Sequence, residues 1–165
     1  MASTLKKQDG STDMAVGTSV MTDKCIAELF AGSITTAGSY RLVLLNLSLG
    51  ALTITPTGTT FQYWAAISDA ETATGGNYTK GTGLALDTPA ITALTAHAQS
   101  LDFANEVLTA ATLTSDAYAV VRWVTSTADS PVLALGKWDA TKSPAGVDLT
   151  VTITGTVKIT ASDAA

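Results

Sequence analysis

An all-β, antiparallel fold is what three features of this sequence predict, as a β-sandwich or barrel-like domain behind an extended N-terminal arm. Short runs of alternating apolar residues recur between turn-forming stretches, threonine is unusually abundant, and no long segment shows a helical period. The chain carries 29 Thr against 23 Lys, Arg, Asp and Glu combined. Threonine is β-branched, loses little on entering a strand and suits the outward face of a sheet.

Length and charge narrow the class. The 165 residues suit one domain plus an arm. Charged residues are only 14% of the chain, below the roughly 25% of an average globular domain. The net charge of −5 argues against an electrostatic grip on nucleic acid, and Lys6–Lys7 is the only adjacent basic pair. One cysteine, Cys25, excludes an intrachain disulfide framework and any Cys-based zinc site. MASTLKKQDGSTD lacks the apolar core of a signal peptide, and LVLLNLSLGAL falls short of the roughly 18 apolar residues of a membrane span.

Residues 1–24 are small, polar and without period, and read as the arm; residues 25–165 read as the β domain. Near KCIAELFAGSI a strand or a short helix is expected to begin, and the spacing of Ile26, Leu29 and Phe30 suits one helical face. YRLVLLNLSL sets Tyr40, Leu42 and Leu44 against Val43 and Leu45, the pattern of a strand covered on both sides. ALTITPTGTT alternates until Pro56 and Gly58, and FQYWAAISD brings Phe61, Tyr63 and Trp64. GGNYTKGTG reads as a flexible glycine-dense turn.

AHAQSLDFAN, LTAATLTSDAYAVVRWV and VLALGKWD then read as a meander. Leu101 and Phe103 share a face in the first, and Tyr118, Val120 and Arg122 oppose Val121 and Trp123 in the second. After the loop ATKSPAG, the tail VDLTVTITGTVKIT alternates throughout, with Gly155 as a bulge or a hairpin turn.

The search for reactive groups yields no catalytic, cofactor-binding or metal-binding residue. His97 has no histidine or cysteine nearby in sequence, and no G-x-S-x-G elbow accompanies it. The carboxylates Asp69, Glu71, Asp87, Asp102, Glu106, Asp116, Asp129 and Asp139 stand mostly in turn-like contexts, where Asp bonds nearby backbone. They show no D-x-D-x-D calcium loop. Tyr63, Trp64, Tyr78, Trp123 and Trp138 would make a sugar-stacking platform only if several faced solvent together; strand aromatics more often pack in a core.

Five segments, in order, resemble a family of tailed-phage virion structural proteins, over roughly three quarters of the chain. They are YRLVLLNLS; FQYWAAISDAETATGGNYTKGTGLAL, matching at Trp64, Glu71, Gly76, Tyr78 and Gly81; SLDFANEVLTAATLTSDAYAVVRW, matching at Asp102, Phe103, Thr112, Tyr118, Ala119 and Val120; SPVLALGKWD; and VDLTVTITGTVKIT. The resemblance implies a non-enzymatic β-sandwich of the virion, assembled in the host cytoplasm, with no cofactor. The role expected from it is that of a capsid decoration (cement) protein, a homotrimer bound across copies of the major capsid protein. A tail, neck, baseplate or fibre-base component is the alternative within the virion, and a carbohydrate-binding adhesive module the alternative outside it.

Overall fold

The computed structural model describes residues 16–49, 61–95, 98–125, 127–152 and 157–160. Its centre is a five-stranded antiparallel sheet in the order β1 (Val16–Met21), β8 (Val132–Lys142), β7 (Ser115–Arg122), β2 (Tyr40–Leu45), β3 (Leu84–Leu86). Two smaller antiparallel sheets accompany it: β4 (Ala90–Thr95), β5 (Ala98–Asp102) and β10 (Val157–Thr160) in the order β10-β5-β4, and β6 (Glu106–Thr112) paired with β9 (Ala145–Val151). One helix, α1 (Asp23–Phe30), follows β1. The fold is all-β.

Both faces of β2 are buried in the central sheet, as the double-sided pattern of YRLVLL requires. On one face Tyr40, Leu42, Leu44, Tyr118, Val120 and Trp138 pack with residues of the smaller sheets, among them Leu101, Leu108, Leu149 and Val151, and with Cys25 of α1. On the other, Val43, Leu45, Ala117, Ala119 and Val121 meet Trp64, Ile67 and Ala70. Trp64 and Ala70 come from two 3-10 turns, Trp64–Ala66 and Ser68–Ala70, and Ile67 joins them. The alanines of β7 leave room for the Trp64 indole.

The register of β7 on β8 is broken twice. Val120 faces Ala134 and Val121 faces Val132, which leaves Leu133 as an extra residue. Leu133 and Ala134 therefore both enter the first core, an arrangement that period two alone forbids. Gly136 lies opposite Tyr118, and a Cβ there would sit 2.3 Å from the Tyr118 ring. That ring also stacks on Trp138 at 4.3 Å between centroids. Only glycine lets the phenol lie flat across its partner strand.

Four expectations change. The boundary after residue 24 moves, because β1 and the cap of α1 belong to the domain. Thr22 is fully buried, donates N–H to Leu133 O at 3.0 Å and O–H to Val132 O, and accepts Cys25 N–H at 3.1 Å as the helix N-cap. Within α1 the inward residues are Cys25, Glu28 and Leu29, while Ile26 and Phe30 face out at 41% and 89% exposure. The meander reduces to the β7–β8 hairpin, since β5 and β6 lie in other sheets. The alternating tail is neither one strand nor a hairpin: β9 pairs β6, whereas β10 pairs β5. Residues 1–15, the segment ALTITPTGTT, His97 and Gly155 lie outside the described residues.

Candidate functional site

The segment after Tyr63 is where the molecule concentrates its buried polar chemistry. Backbone bonds from Trp64 N–H to Ser130 O (3.0 Å) and from Val132 N–H to Gln62 O (3.0 Å) hold its start against the strand leading into β8. Glu71, 1% exposed, bridges to Leu45 at the end of β2. Its carboxylate accepts the Trp64 indole N–H (3.2 Å), the Tyr78 O–H (2.7 Å) and the Gly81 N–H (2.9 Å). Tyr78 Oη in turn accepts Leu44 N–H at 3.1 Å. Burial, then the Glu71 charge and hydrogen bond, push the Tyr78 phenol far above its ordinary range.

The glycine-dense loop is thereby pinned from inside. Tyr78 is fully buried, and Gly75 and Tyr78 form a bridge. Gly76, at φ +63°, fits against β6, where a Cβ would lie 2.1 Å from Thr109 O. Beside it the Asn77 amide donates to Val107 O (2.9 Å) and accepts Thr109 N–H (3.0 Å), replacing one strand residue along the β6 edge. The expected flexible turn is a four-point anchor. Trp64, Glu71, Tyr78 and Gly81 meet at one carboxylate, and Gly76 makes the close approach beside it. A carboxylate enclosed by three donors is built to hold the loop, since its lone pairs are directed inward.

Some of the other carboxylates accept backbone N–H groups, from distant segments rather than from their own turns. Asp116 accepts Leu47 N–H (2.9 Å), Asp148 accepts Ala110 N–H (2.8 Å), and Glu106 accepts Asp87 N–H (2.8 Å). Burial, together with the neighbouring Asp87 charge, raises the Glu106 carboxyl. Asp102 accepts the Ser100 O–H at 2.8 Å. Asp69 and Asp129 are exposed in turns. Asp139 stands inside β8 rather than in a turn. Among the described residues no three His, Cys, Asp or Glu gather in a metal-binding group.

Beneath α1, Glu28 receives Arg122 Nη2 at 2.7 Å and Lys24 Nζ at 3.0 Å. Burial alone pushes the Glu28 carboxyl up; Lys24 and Arg122 outweigh that and hold it below its usual value. Burial, aided by the Glu28 charge, raises the Cys25 thiol to about 12, so this cysteine is a packing residue rather than a nucleophile.

The five tempting aromatics do not form a solvent-facing row. Trp64, Tyr78 and Trp138 are buried, and half-buried Trp123 meets Trp64 edge-on at 5.6 Å. Tyr63 is exposed at 40%, with Lys24 Nζ 5.2 Å above its ring. Exposed apolar side chains include Ile26 and Phe30, one turn apart on α1, and, elsewhere, Leu49, Ile91, Val107 and Val147. The expectation of one face for Ile26, Leu29 and Phe30 fails at Leu29, which packs inward while the other two face out. No family model, no curated protein and no solved structure matches the chain.

Proposed function

We propose that this chain is a non-enzymatic structural protein of a tailed-phage particle, acting as a capsid decoration protein. In that reading it is a homotrimer on the outer shell that binds across neighbouring copies of the major capsid protein. The supporting observation is the Glu71 anchor. Trp64, Glu71, Gly76, Tyr78 and Gly81, scattered over the segment that resembles the virion family, converge on one carboxylate and the strand beside it. A pattern shared with a family is better explained by a common fold when its members form one physical unit. The low charge density suits close packing of many copies, and the outward Ile26 and Phe30 offer an apolar contact. Repeated weak contacts over a lattice supply avidity without one strong site.

Copy number in purified particles, measured by quantitative mass spectrometry against the major capsid protein, tests the reading. About one chain per capsid subunit, or one trimer per local threefold, supports decoration. A single ring's worth of copies moves the chain to the neck or tail, and its absence from particles overturns the virion reading.

A further inference from the structure

The polarity of α1 is inverted. Its inward face holds Cys25, Glu28 and Leu29, and the Glu28 carboxylate is neutralised there by Lys24 and Arg122. Its outward face holds Asp23, Ile26, Ala27, Phe30 and the C-cap residue Ala31, all exposed. Positions spaced in this way form one stripe along a helix. A surface helix ordinarily turns its charges to water and its apolar stripe to the core. Here a carboxylate is buried beneath the helix, while an isoleucine and a phenylalanine stand outside it. The outward stripe has the composition of a face that is covered.

That stripe complements itself. Ile26 and Phe30 lie one turn apart, so two copies of α1 laid antiparallel about a two-fold axis at mid-helix set Ile26 of each against Phe30 of the other. The pairing meets the condition for a two-fold contact, in which the same patch serves both copies. Ala27 lies next to the axis and is small enough for the roughly 8–10 Å separation of packed helices. Charge favours the same direction. Asp23 is the one charged residue of the stripe and sits at its amino-terminal margin, outside the Ile26–Phe30 contact. No basic residue stands in the last turn, so the carbonyl end of α1 keeps its partial negative charge. An antiparallel copy brings its amino end towards that charge.

We infer that the outward stripe of α1 is a two-fold contact between copies of this chain, with Phe30 as its anchor. Area sets its strength. An aromatic side chain buries roughly 150–250 Å², so the whole stripe offers on the order of 300 Å² per copy. A stable complex needs roughly 800 Å² per partner. The contact is therefore weak in dilute solution and gains force where copies are already held side by side. It is separate from the threefold contact of the virion reading and does not depend on that reading.

Sedimentation velocity of the full-length chain, from about 10 μM to about 1 mM so that weak contacts register, tests the inference. The weight-average mass should rise with concentration, and Phe30→Lys should weaken the association at least about tenfold. Phe30 is exposed and a cation suits the last helical turn, so this variant should keep its fold, as circular dichroism checks. Mixing an Ile26→Cys chain with a Phe30→Cys chain under mild oxidation tests direction: 26–30 links between chains should exceed 26–26 and 30–30 links. A parent mass that does not change with concentration overturns the inference, and so does an equal rise in Phe30→Lys or an excess of 26–26 or 30–30 links. If Phe30→Lys instead loses binding to purified capsid shells or to phosphatidylcholine vesicles while self-association is unchanged, the stripe belongs to that partner and the inference is overturned.

Discussion

Tyr78 donates its phenolic O–H to Glu71 Oε1 across 2.7 Å while accepting the Leu44 N–H, so one side chain joins the buried carboxylate to β2 of the central sheet. Removing either end strands the other partners without water. Tyr78→Phe should cost about 1–3 kcal/mol, and Glu71→Ala, which leaves three donors unpaired, at least about 3 kcal/mol. Glu71→Gln should be milder than Glu71→Ala because it keeps one acceptor oxygen. Urea unfolding followed by tryptophan fluorescence checks the order, and an Ala variant as stable as the parent would remove the anchor's structural role.

Gly136 and Gly32 separate steric need from conformational need. A Cβ at Gly136 meets the Tyr118 ring at 2.3 Å, and that ring is held by its stack on Trp138. Gly32 has φ +66° but nothing within 4 Å. Gly32→Ala should cost about 1–2 kcal/mol, the left-handed penalty alone. Gly136→Ala should cost about 1–3 kcal/mol and also alter near-ultraviolet dichroism through the Tyr118–Trp138 pair. Equal unfolding midpoints with an unchanged aromatic spectrum would count against the close contact.

These contacts also mark how far the sequence could be read. The two-sided burial of β2 was visible because Tyr40 to Leu45 are nearly all apolar, and period two assigns their faces. Alternation says nothing about which strand is the neighbour, so it did not separate β9 from β10, nor expose the bulge at Leu133. Glu71 looked like a turn residue because its three donors are separated from it by 7 to 10 positions and meet it only through the fold. Thr22 looked like part of an arm because its carbonyl partner on Val132 is 110 positions away.

Ala110 stores strain that can be released. It sits at φ +47° within the irregular stretch of β6, where its N–H is held by Asp148 Oδ1. Ala110→Gly removes the left-handed penalty and should gain about 0.5–1 kcal/mol after the added freedom of the unfolded chain is counted. Asp148→Ala should lose about 1 kcal/mol by freeing that N–H. A destabilised Ala110→Gly protein in thermal unfolding would refute the assignment of strain.

Cys25 predicts an alkaline sensitivity. Its thiol rises from 9.0 to about 12 on folding, chiefly through burial, so above pH 9 the unfolded chain loses a proton that the native chain keeps. The stabilisation is complete below pH 9 and is lost as pH rises towards 12, at up to about 1.4 kcal/mol per pH unit. The Tyr40 and Tyr78 phenols are also raised by burial and add to the same trend. Cys25→Ala should flatten the slope of stability against pH between 9 and 12, whatever it does to stability at neutral pH. At pH 8 Ellman's reagent should label the thiol only after denaturant is added. Rapid labelling of the native protein would contradict its burial.

The boundary between arm and domain can be located by truncation. Removing residues 1–24 deletes β1, uncovers one edge of β8 and removes the Thr22 bonds to Val132, Leu133 and Cys25. Removing residues 1–15 leaves all of these in place. The shorter deletion should therefore keep cooperative unfolding and most of the stability. The longer one should lose several times as much, or fail to fold, because an uncovered strand edge also promotes association. Thr22→Ala isolates the cap within the intact chain: its buried hydroxyl bonds both α1 and β8, so the loss should be about 1–2 kcal/mol. If deletion of residues 1–24 leaves the midpoint where deletion of residues 1–15 leaves it, and Thr22→Ala is neutral, the domain begins at α1 and β1 contributes nothing to its stability.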